Sequence, residues 1–358
     1  MAGFFGSLFN VFGSKKSTKP IDSPIKKLSD KNPKYHIGLF GPSRIGKTTL
    51  IASIVEEFKL LSDGLYNEAS AYLKFSAMDQ ATSERIADRI NALKSGIERR
   101  SFKTGTLEGT SSHEIFNMRL EDAKSSSFKL DFIFHDFPGG WINDPSKMEE
   151  LGFNNWDIFI LPTDGAALME SVREKHLESL RKNLAIHQVE DIIRDWARQR
   201  ENLRGLCVIA PVKCETYYSK PAISPVLTDR SSDLYKKVVN EYYNGVLDVI
   251  KESKSQIDCL FLPVNTIGCC YLKKPTWDEK GMMTGEYSIS PEPGKDKWTP
   301  FGPAHIMLEI CKFMSGEYQK SYNLDAYPRI KSFINSIKLF ENVLNHRPDK
   351  FDRLRKLK

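Results

Sequence analysis

The chain has 358 residues, of which 40% are hydrophobic and 27% are charged, an ordinary composition for a soluble globular protein with an ample core. Its formal net charge of +6 is spread too thinly to indicate a nucleic-acid-binding surface, so no specific nucleic acid is expected as a partner. The length allows about two domains, and no run of sequence reaches the roughly 18 apolar residues of a membrane-spanning helix.

The first 32 residues are predicted to be an N-terminal segment and linker. Residues 4–12 are largely apolar, with Lys15 and Lys16 behind them, which reverses the charge order of a signal peptide. The Met-Ala-Gly start also lacks the Met-Gly needed for myristoylation. Three interpretations remain for residues 4–12: docking onto a partner or onto this protein itself, binding to a membrane surface, and disorder.

A strand, a glycine-rich turn and a helix follow the linker. Residues 35–40 predict a short buried strand, and residues 48–59 predict a helix with apolar side chains at helical spacing. Between them, residues 41–48 fit the pattern G-x-x-x-x-G-K-[ST], which is the P-loop that holds nucleotide phosphates. The alternative is a chance turn containing Gly and Lys, which the flanking strand and helix disfavour.

The chemistry of such a loop assigns a role to each part. Gly41 and Gly46 allow positive φ and a close approach of the backbone to phosphate. Lys47 is expected to reach the β- and γ-phosphates, and the Thr48 hydroxyl is expected to ligate Mg²⁺. The residues of this segment that are predicted to bind nucleotide are Gly41, Pro42, Ser43, Arg44, Ile45, Gly46, Lys47, Thr48 and Thr49.

Residues 61–112 are predicted to form a long insert. It carries a helix over residues 82–100, followed by a polar, mobile loop over residues 101–112. Two strands come next, at residues 113–120 and 128–135, with a turn at residues 125–127, so the pair is expected to form a hairpin.

Strands and helices alternate through the remainder of the chain, which predicts an α/β fold with a mostly parallel sheet and helices on both faces. The predicted strands are residues 156–161, 206–211 and 259–264, and residues 271–301 are predicted to be a long loop. The predicted helices are residues 171–200 (one or two helices), 232–253, 304–314 and 332–344, before a basic tail.

The six cysteines form no C-x-x-C pair and several lie in apolar runs, which predicts buried, reduced thiols in a cytosolic protein without a zinc site. Basic residues gather in the tails and are interpreted as solvated, with weak contact to an acidic surface as the second interpretation. Those at the C-terminal end are Arg353, Arg355, Lys356 and Lys358.

A second motif, Asp-Phe-Pro-Gly at residues 136–139, ends the apolar strand 128–135. Ligands of open α/β sheets bind beyond the carboxyl ends of strands, so Asp136 is placed to bind Mg²⁺ directly or through water. The Gly139 N–H can donate to the γ-phosphate and couple the following segment to it. Such a sequence is often an ordinary turn, but its place after a strand and downstream of the P-loop favours function.

In a third motif, the predicted strand 206–211 delivers Lys213 and Glu215 to the same edge of the sheet. A carboxylate at this place can accept two hydrogen bonds from guanine, and the stem of Lys213 can lie over the base. The alternative is an ordinary surface Lys and Glu at a strand end. A weaker element, the loop with Asn265 and Thr266, follows the next strand and could close over the base.

In order and spacing these motifs resemble the Ras-like, translation-factor-related (TRAFAC) regulatory GTPases over about residues 34–315. The resemblance implies a three-layer P-loop NTPase fold that binds GTP or GDP with Mg²⁺. It also implies a switch I threonine, for which Thr110 is the best placed residue and Thr106 the second. The family motif Asn-Lys-x-Asp is here Val-Lys-Cys-Glu, at residues 212–215. The long helical insert and this variant are similar to divergent double-GTPase-like proteins of bacterial conflict systems.

From the resemblance we expect a molecular switch that hydrolyses GTP, with Lys47, Thr48, Asp136 and Gly139 as the catalytic set and Thr48, Thr110 and Asp136 on the metal. Ras-like members often place Gln after Asp-x-x-Gly to position water, whereas this chain has Gly140, so slow hydrolysis and an unidentified protein activator are expected. His135 and His113 can position water, although a histidine on a strand is more often packed. The alternatives are an ATPase on the same fold and a nucleotide-binding interaction module with little turnover.

These expectations divide the chain into three parts. Residues 1–32 form the apolar segment and linker, residues 33–320 the GTPase domain, and residues 321–358 a C-terminal helix with a basic tail. The expected location is cytoplasmic, with peripheral membrane association through residues 4–12 as an open alternative.

Overall fold

The structure is a computed structural model. It describes residues 32–62, 72–103, 110–123, 128–171, 174–200, 203–218, 229–253, 256–279, 281–291, 296–347 and 352–358. The predictions for the apolar segment 4–12, for Thr106 and for the turn at 125–127 fall outside these residues.

Strands and helices alternate along most of the chain. The strands are β1 (Lys34–Leu39), β2 (Leu73–Ala77), β3 (Ser101–Lys103), β4 (Glu114–Asp122), β5 (Lys129–Asp136), β6 (Ile158–Asp164), β7 (Arg204–Val212), β8 (Gln256–Phe261), β9 (Cys270–Trp277), β10 (Met283–Ile289) and β11 (Arg355–Lys356). The helices are α1 (Lys47–Ser62), α2 (Gln80–Glu98), α3 (Pro145–Leu151), α4 (Gly165–Glu170), α5 (Glu174–Asn183), α6 (Ile186–Gln199), α7 (Ser231–Tyr235), α8 (Asn244–Glu252), α9 (Pro303–Ser321) and α10 (Pro328–Asn345).

The larger sheet has the strand order β11-β8-β7-β6-β1-β5-β4-β2. Its central strands β8, β7, β6, β1 and β5 run parallel. The hairpin of β4 and β5 is antiparallel, as are β2 and β11 at the two edges. The predicted mostly parallel α/β sheet is therefore confirmed, and so is the predicted hairpin.

Apolar cores lie on both faces of this sheet because alternate residues of each strand point to opposite faces. On β6, Ile158 and Ile160 belong to one core, which also contains side chains of α1, α9 and α10. Phe159 and Leu161 belong to the other core, with side chains of α4, α6 and α8. The helices thus cover both faces, as the alternation of elements predicted. Among the described residues, no helix is long and apolar enough to cross a membrane.

The predicted long loop over residues 271–301 is wrong, because β9 and β10 form an antiparallel hairpin there. β10 buries alternate residues, as a strand with one buried face does. Pro275 and the lysines of β9 interrupt the alternation of apolar and polar residues by which a strand is predicted. The predicted polar loop over residues 101–112 is wrong in part, since β3 occupies residues 101–103 and pairs with β10. β2 is a further strand that the sequence did not reveal.

The helical segments are close to their predicted places. Residues 171–200 form two helices, α5 and α6, and α4 precedes them without having been predicted. The single helix predicted over residues 232–253 is divided into α7, a π-helix at Lys236–Tyr242, and α8. All six cysteines are buried and free.

The interpretation of Arg353 as part of a solvated tail is wrong. Its side chain is 9% exposed, and its guanidinium donates to Asn265 Oδ1 at 2.9 Å and to Tyr218 O at 3.1 Å. The following residues form β11, which pairs with β8. Two acceptors and two adjacent aromatic rings offset the desolvation of this charge.

A buried carboxylate ties α1 to α9. Glu57 is 1% exposed and accepts hydrogen bonds from Gly302 N at 3.2 Å and Ala304 N at 2.7 Å, at the first turn of α9. Arg347, which follows α10, donates to the same carboxylate at 2.5 Å. The negative charge therefore binds both the first N–H groups of a helix N-terminus and a partly buried guanidinium.

Replacing Glu57 by Ala is expected to lower the free energy of unfolding by about 3–5 kcal/mol, because it removes the buried carboxylate that accepts from the first turn of α9 and from Arg347. Urea unfolding of the wild type and of Glu57→Ala measures the difference. Glu98→Ala, at an exposed position of α2, is the matched control, and we expect it to stay within about 0.5 kcal/mol of the wild type. A similar small loss in both variants would contradict the assigned role.

Candidate functional site

The turn between β1 and α1 has the backbone of an anion-binding loop. Arg44 has φ of 66° and Gly46 has φ of 109°, so the chain alternates conformation at the N-terminus of α1. A Cβ at Gly41 would lie 3.1 Å from Pro162 O, which makes a side chain there too close to β6. Such a turn directs N–H groups inward, and the helix dipole adds to the attraction for a negative group.

Lys47 lies folded back over this loop. Its Nζ donates to Gly41 O at 2.9 Å and to Pro42 O at 3.3 Å, and it is 4.0 Å from Asp136 Oδ1. The side chain is only 5% exposed. Burial lowers the pKa of Lys47 below its usual value, and the charge of Asp136 opposes that shift. A buried ammonium held by two neutral carbonyls can exchange them for phosphate oxygens, which bear charge and bind it more strongly.

Two threonines from distant parts of the sequence meet at Asp136. Thr48 Oγ1 donates to Asp136 Oδ2 at 2.5 Å, and Thr110 Oγ1 donates to the same oxygen at 3.1 Å. The two hydroxyl oxygens are 3.3 Å apart. The parallel pairing of β1 with β5 brings the P-loop and the end of β5 to the same edge of the sheet. The structure thus brings together Thr48, Thr110 and Asp136, the three residues predicted for the metal.

The chemistry of this cluster fits a small, hard cation. Its donor atoms are all oxygens, from two hydroxyls and a carboxylate, which is the type of ligand that Mg²⁺ prefers. Asp136 is completely buried, and its Oδ1 accepts no hydrogen bond from any residue that the structure describes. A buried carboxylate oxygen of this kind calls for a cation or for a donor such as metal-bound water.

Gly139 packs directly against the P-loop backbone. A Cβ at this position would lie 1.9 Å from Ser43 N and 2.2 Å from Pro42 C. Gly140 is different, because a Cβ there meets nothing within 4 Å in the described structure. The absence of a side chain is therefore a steric requirement at 139 and not at 140.

Lys213 is held at the same edge of the sheet, with φ of 57°. Its Nζ forms an ion pair with Asp164, which lies at the carboxyl end of β6, and lies 3.5 Å from Arg44 O in the P-loop. Asp164 was missed in the sequence. The signal that could have revealed it is the one that revealed Asp136, an acidic residue at the carboxyl end of a buried strand.

Glu215 is buried, with 1% exposure. It binds the loop at residues 265–268, which we call the β8 loop. Its Oε1 accepts hydrogen bonds from Ile267 N at 2.8 Å and from Gly268 N at 3.3 Å. Burial raises the pKa of Glu215, and these hydrogen bonds oppose the shift. Part of the accepting capacity of the carboxylate is therefore used within the protein.

Asn265 and Thr266 are both buried in the β8 loop. Asn265 Oδ1 accepts from Arg353, and Thr266 O accepts from Ser53 Oγ at 2.8 Å and from Trp298 Nε1 at 2.9 Å. The contacts of these residues hold the loop in place. Their predicted role in nucleotide binding stays a prediction.

Three histidines form a chain beside Asp136. His36 Nδ1 is 2.9 Å from His135 Nε2, and His113 Nε2 is 3.1 Å from His135 Nδ1. His135 is buried and stacks on Trp156 with ring centroids 4.3 Å apart, so its interpretation as a packed residue is confirmed. Burial and the two neighbouring histidines lower the pKa of His135 to about 3, and burial also lowers the pKa of His113.

Comparison with known proteins identifies a family for this fold and site. The model of the family described as Double-GTPase 2 matches residues 35–238, which is more than half of the chain. No curated protein matches. One solved structure, of an oligomerised bacterial dynamin pair described as a mechanism for the long-range sensing and tethering of membranes, is similar at 12% identity with a TM-score of 0.28. The match covers 87% of this chain and 41% of that one.

Replacing Gly139 by Ala is expected to weaken nucleotide binding at least about tenfold, since the added Cβ must displace the P-loop backbone that holds the phosphates. Gly140→Ala is the matched control and is expected to bind like the wild type, because the Cβ enters open space. Calorimetric titration with Mg²⁺ and GDP provides both values. Equal affinities for the two variants would show that the contact between Gly139 and Ser43 is unimportant.

Proposed function

The chain belongs to the Double-GTPase 2 family, and on this premise we propose that it hydrolyses GTP to GDP and phosphate and acts as a nucleotide-dependent switch. The fold is that of a divergent P-loop GTPase. The observation that carries the proposal is the meeting of Thr48, Thr110 and Asp136 beside the P-loop.

Different groups of the P-loop and its surroundings would bind different parts of the phosphate chain. The backbone N–H groups of residues 43–48, at the N-terminus of α1, bind phosphate oxygens. Lys47 turns from the carbonyls of Gly41 and Pro42 towards the β- and γ-phosphates, where its charge offsets that of the transferring group. Thr48, Thr110 and Asp136 would hold Mg²⁺, which would supply further neutralisation of the phosphate charge.

The switch proposal depends on two segments that reach the P-loop, one before β4 and one after β5. Thr110 ends the segment 101–110, and Gly139 begins the segment that leads through α3. Both lie beside the P-loop, so the presence of the γ-phosphate can order the segments 101–112 and 137–153, and its loss can release them. A protein partner that recognises the ordered state, or that activates hydrolysis, fits this arrangement.

Base selectivity is assigned to Glu215, with Lys213 beside the base. An ionised carboxylate accepts hydrogen bonds from both the ring N–H and the exocyclic amine of guanine, whereas adenine presents an acceptor at the matching ring position. An ATPase is the second candidate, because Glu215 Oε1 already accepts two backbone hydrogen bonds and the asparagine of the related motif is absent. A nucleotide-binding interaction module with little turnover is the third, on account of Gly140.

We place the protein in the cytoplasm. Residues 4–12, which fall outside the described structure, are the segment that we propose docks onto a partner or a membrane surface. Liposome flotation of the full chain, compared with a chain that lacks residues 1–16, distinguishes docking onto a membrane from docking onto a protein partner.

Guanine nucleotides are expected to bind at least about tenfold more tightly than adenine nucleotides, by calorimetry with Mg²⁺. Glu215→Gln keeps the shape of the side chain and the hydrogen bonds to the β8 loop but replaces an acceptor by an amide donor. This variant should lose most of the preference for GDP over ADP. Glu279→Gln, at an exposed position of the hairpin, is the control. A wild type that binds ATP as well as GTP would identify an ATPase instead.

Intrinsic hydrolysis is expected to be slow, below about 0.01 s⁻¹, because Gly140 provides no side chain to orient the attacking water. Single-turnover measurement of phosphate release from Mg²⁺·GTP tests this rate. Lys47→Ala, prepared in the same way, reports the background of contaminating hydrolases. Fast release by the purified wild type that Lys47→Ala abolishes would contradict the prediction.

A further inference from the structure

The β8 loop and the turn that carries Glu215 are packed together. Glu215 itself forms one link between them, through its hydrogen bonds to Ile267 N and Gly268 N. Ser53 of α1 holds the loop from the other side, by donating to Thr266 O at 2.8 Å. The orientation of Glu215 therefore depends on the position of this loop.

One buried guanidinium forms a second link between the same two segments. Arg353 donates from Nη1 to Asn265 Oδ1 in the β8 loop, and from Nη2 to Tyr218 O, shortly after Glu215. Its guanidinium carbon lies 4.2 Å from the centroid of the Tyr218 ring and 5.1 Å from that of Phe301. Two hydrogen bonds and two aromatic faces fix the guanidinium plane, which suits Arg better than Lys.

The backbone near Arg353 is anchored independently of its side chain. In β11, Arg355 pairs with Phe261 and Lys356 with Leu260 at the end of β8, which leads directly into the β8 loop. Cys259 N also donates to Lys358 O at 3.1 Å. The C-terminal segment thus runs beside the strand that delivers the loop, and it places the guanidinium at the junction.

The charge of Arg353 also acts on Glu215. Burial raises the pKa of Glu215, while the backbone hydrogen bonds and the positive charge of Arg353 lower it. The ionised carboxylate is a pure acceptor, which is the form that matches two guanine donors.

We propose that Arg353 is a positioning residue for base recognition, which fixes the direction in which Glu215 meets the base by linking Tyr218 to Asn265. This inference rests on the proposed binding of guanine nucleotides. It makes the segment after α10 part of the specificity of the site. Asn265 then serves as the acceptor that holds Arg353.

The test compares GDP with inosine diphosphate, which lacks only the exocyclic amine of guanine, in calorimetric titrations of the full chain with Mg²⁺. If Glu215 accepts from both donors, the wild type should prefer GDP about tenfold, the value of one charge-assisted hydrogen bond. Arg353→Ala should reduce that preference to less than about threefold, because the carboxylate is no longer held in register. Arg353→Lys should be intermediate, and Arg355→Ala, with an exposed side chain on β11, should match the wild type.

The outcomes separate the proposal from its alternatives. A loss of affinity by Arg353→Ala that is equal for both nucleotides would show a merely structural residue and would refute the inference, as would a wild type that does not distinguish the two nucleotides. If the wild type binds neither nucleotide, the proposed function itself has failed. Should Arg353→Ala not fold, Asn265→Ala serves instead, because it removes the acceptor and keeps the contact with Tyr218.

Discussion

A single buried carboxylate organises the functional edge of this fold. Asp136 ends β5, accepts from Thr48 in the P-loop and from Thr110 in the preceding segment, and lies within ion-pair distance of Lys47. These groups come from three separate stretches of sequence, and the parallel sheet brings them together. A buried charge must be compensated, and the hydroxyls of Thr48 and Thr110 and the nearby ammonium of Lys47 compensate that of Asp136.

Close packing against the P-loop requires a glycine at position 139. Gly139 is pressed against Ser43 and Pro42, so the segment after β5 rests on the loop that holds phosphate. In the proposed function, a change of phosphate content at the loop would act on this segment through that direct contact. Thr110 provides the corresponding contact for the segment before β4. The switch proposal stands on these two contacts with the P-loop, one by Thr110 and one by Gly139.

Much of this arrangement could be predicted from the sequence, because local patterns encode it. The strand, glycine-rich turn and helix at residues 35–59 lie where the pattern placed them, and Asp136 and Thr110 meet Thr48 as expected. What local patterns do not contain is long-range pairing. The hairpin of β9 and β10 and the strand β3 depend on pairing with one another. Arg353 can be buried because Asn265 and Tyr218, which are remote in sequence, accept its hydrogen bonds. β9 also contacts the turn that carries Glu215, since Leu272 N donates to Thr216 Oγ1 at 2.8 Å.

The most direct test of this account is a crystal structure of the protein with Mg²⁺ and a non-hydrolysable GTP analogue. Lys47 Nζ is expected to leave Gly41 O and Pro42 O for the β- and γ-phosphates, with the metal beside Thr48 and Asp136. The base is expected to lie against Glu215. A nucleotide whose phosphates lie away from Lys47, or a metal bound without Thr48 and Asp136, would contradict it.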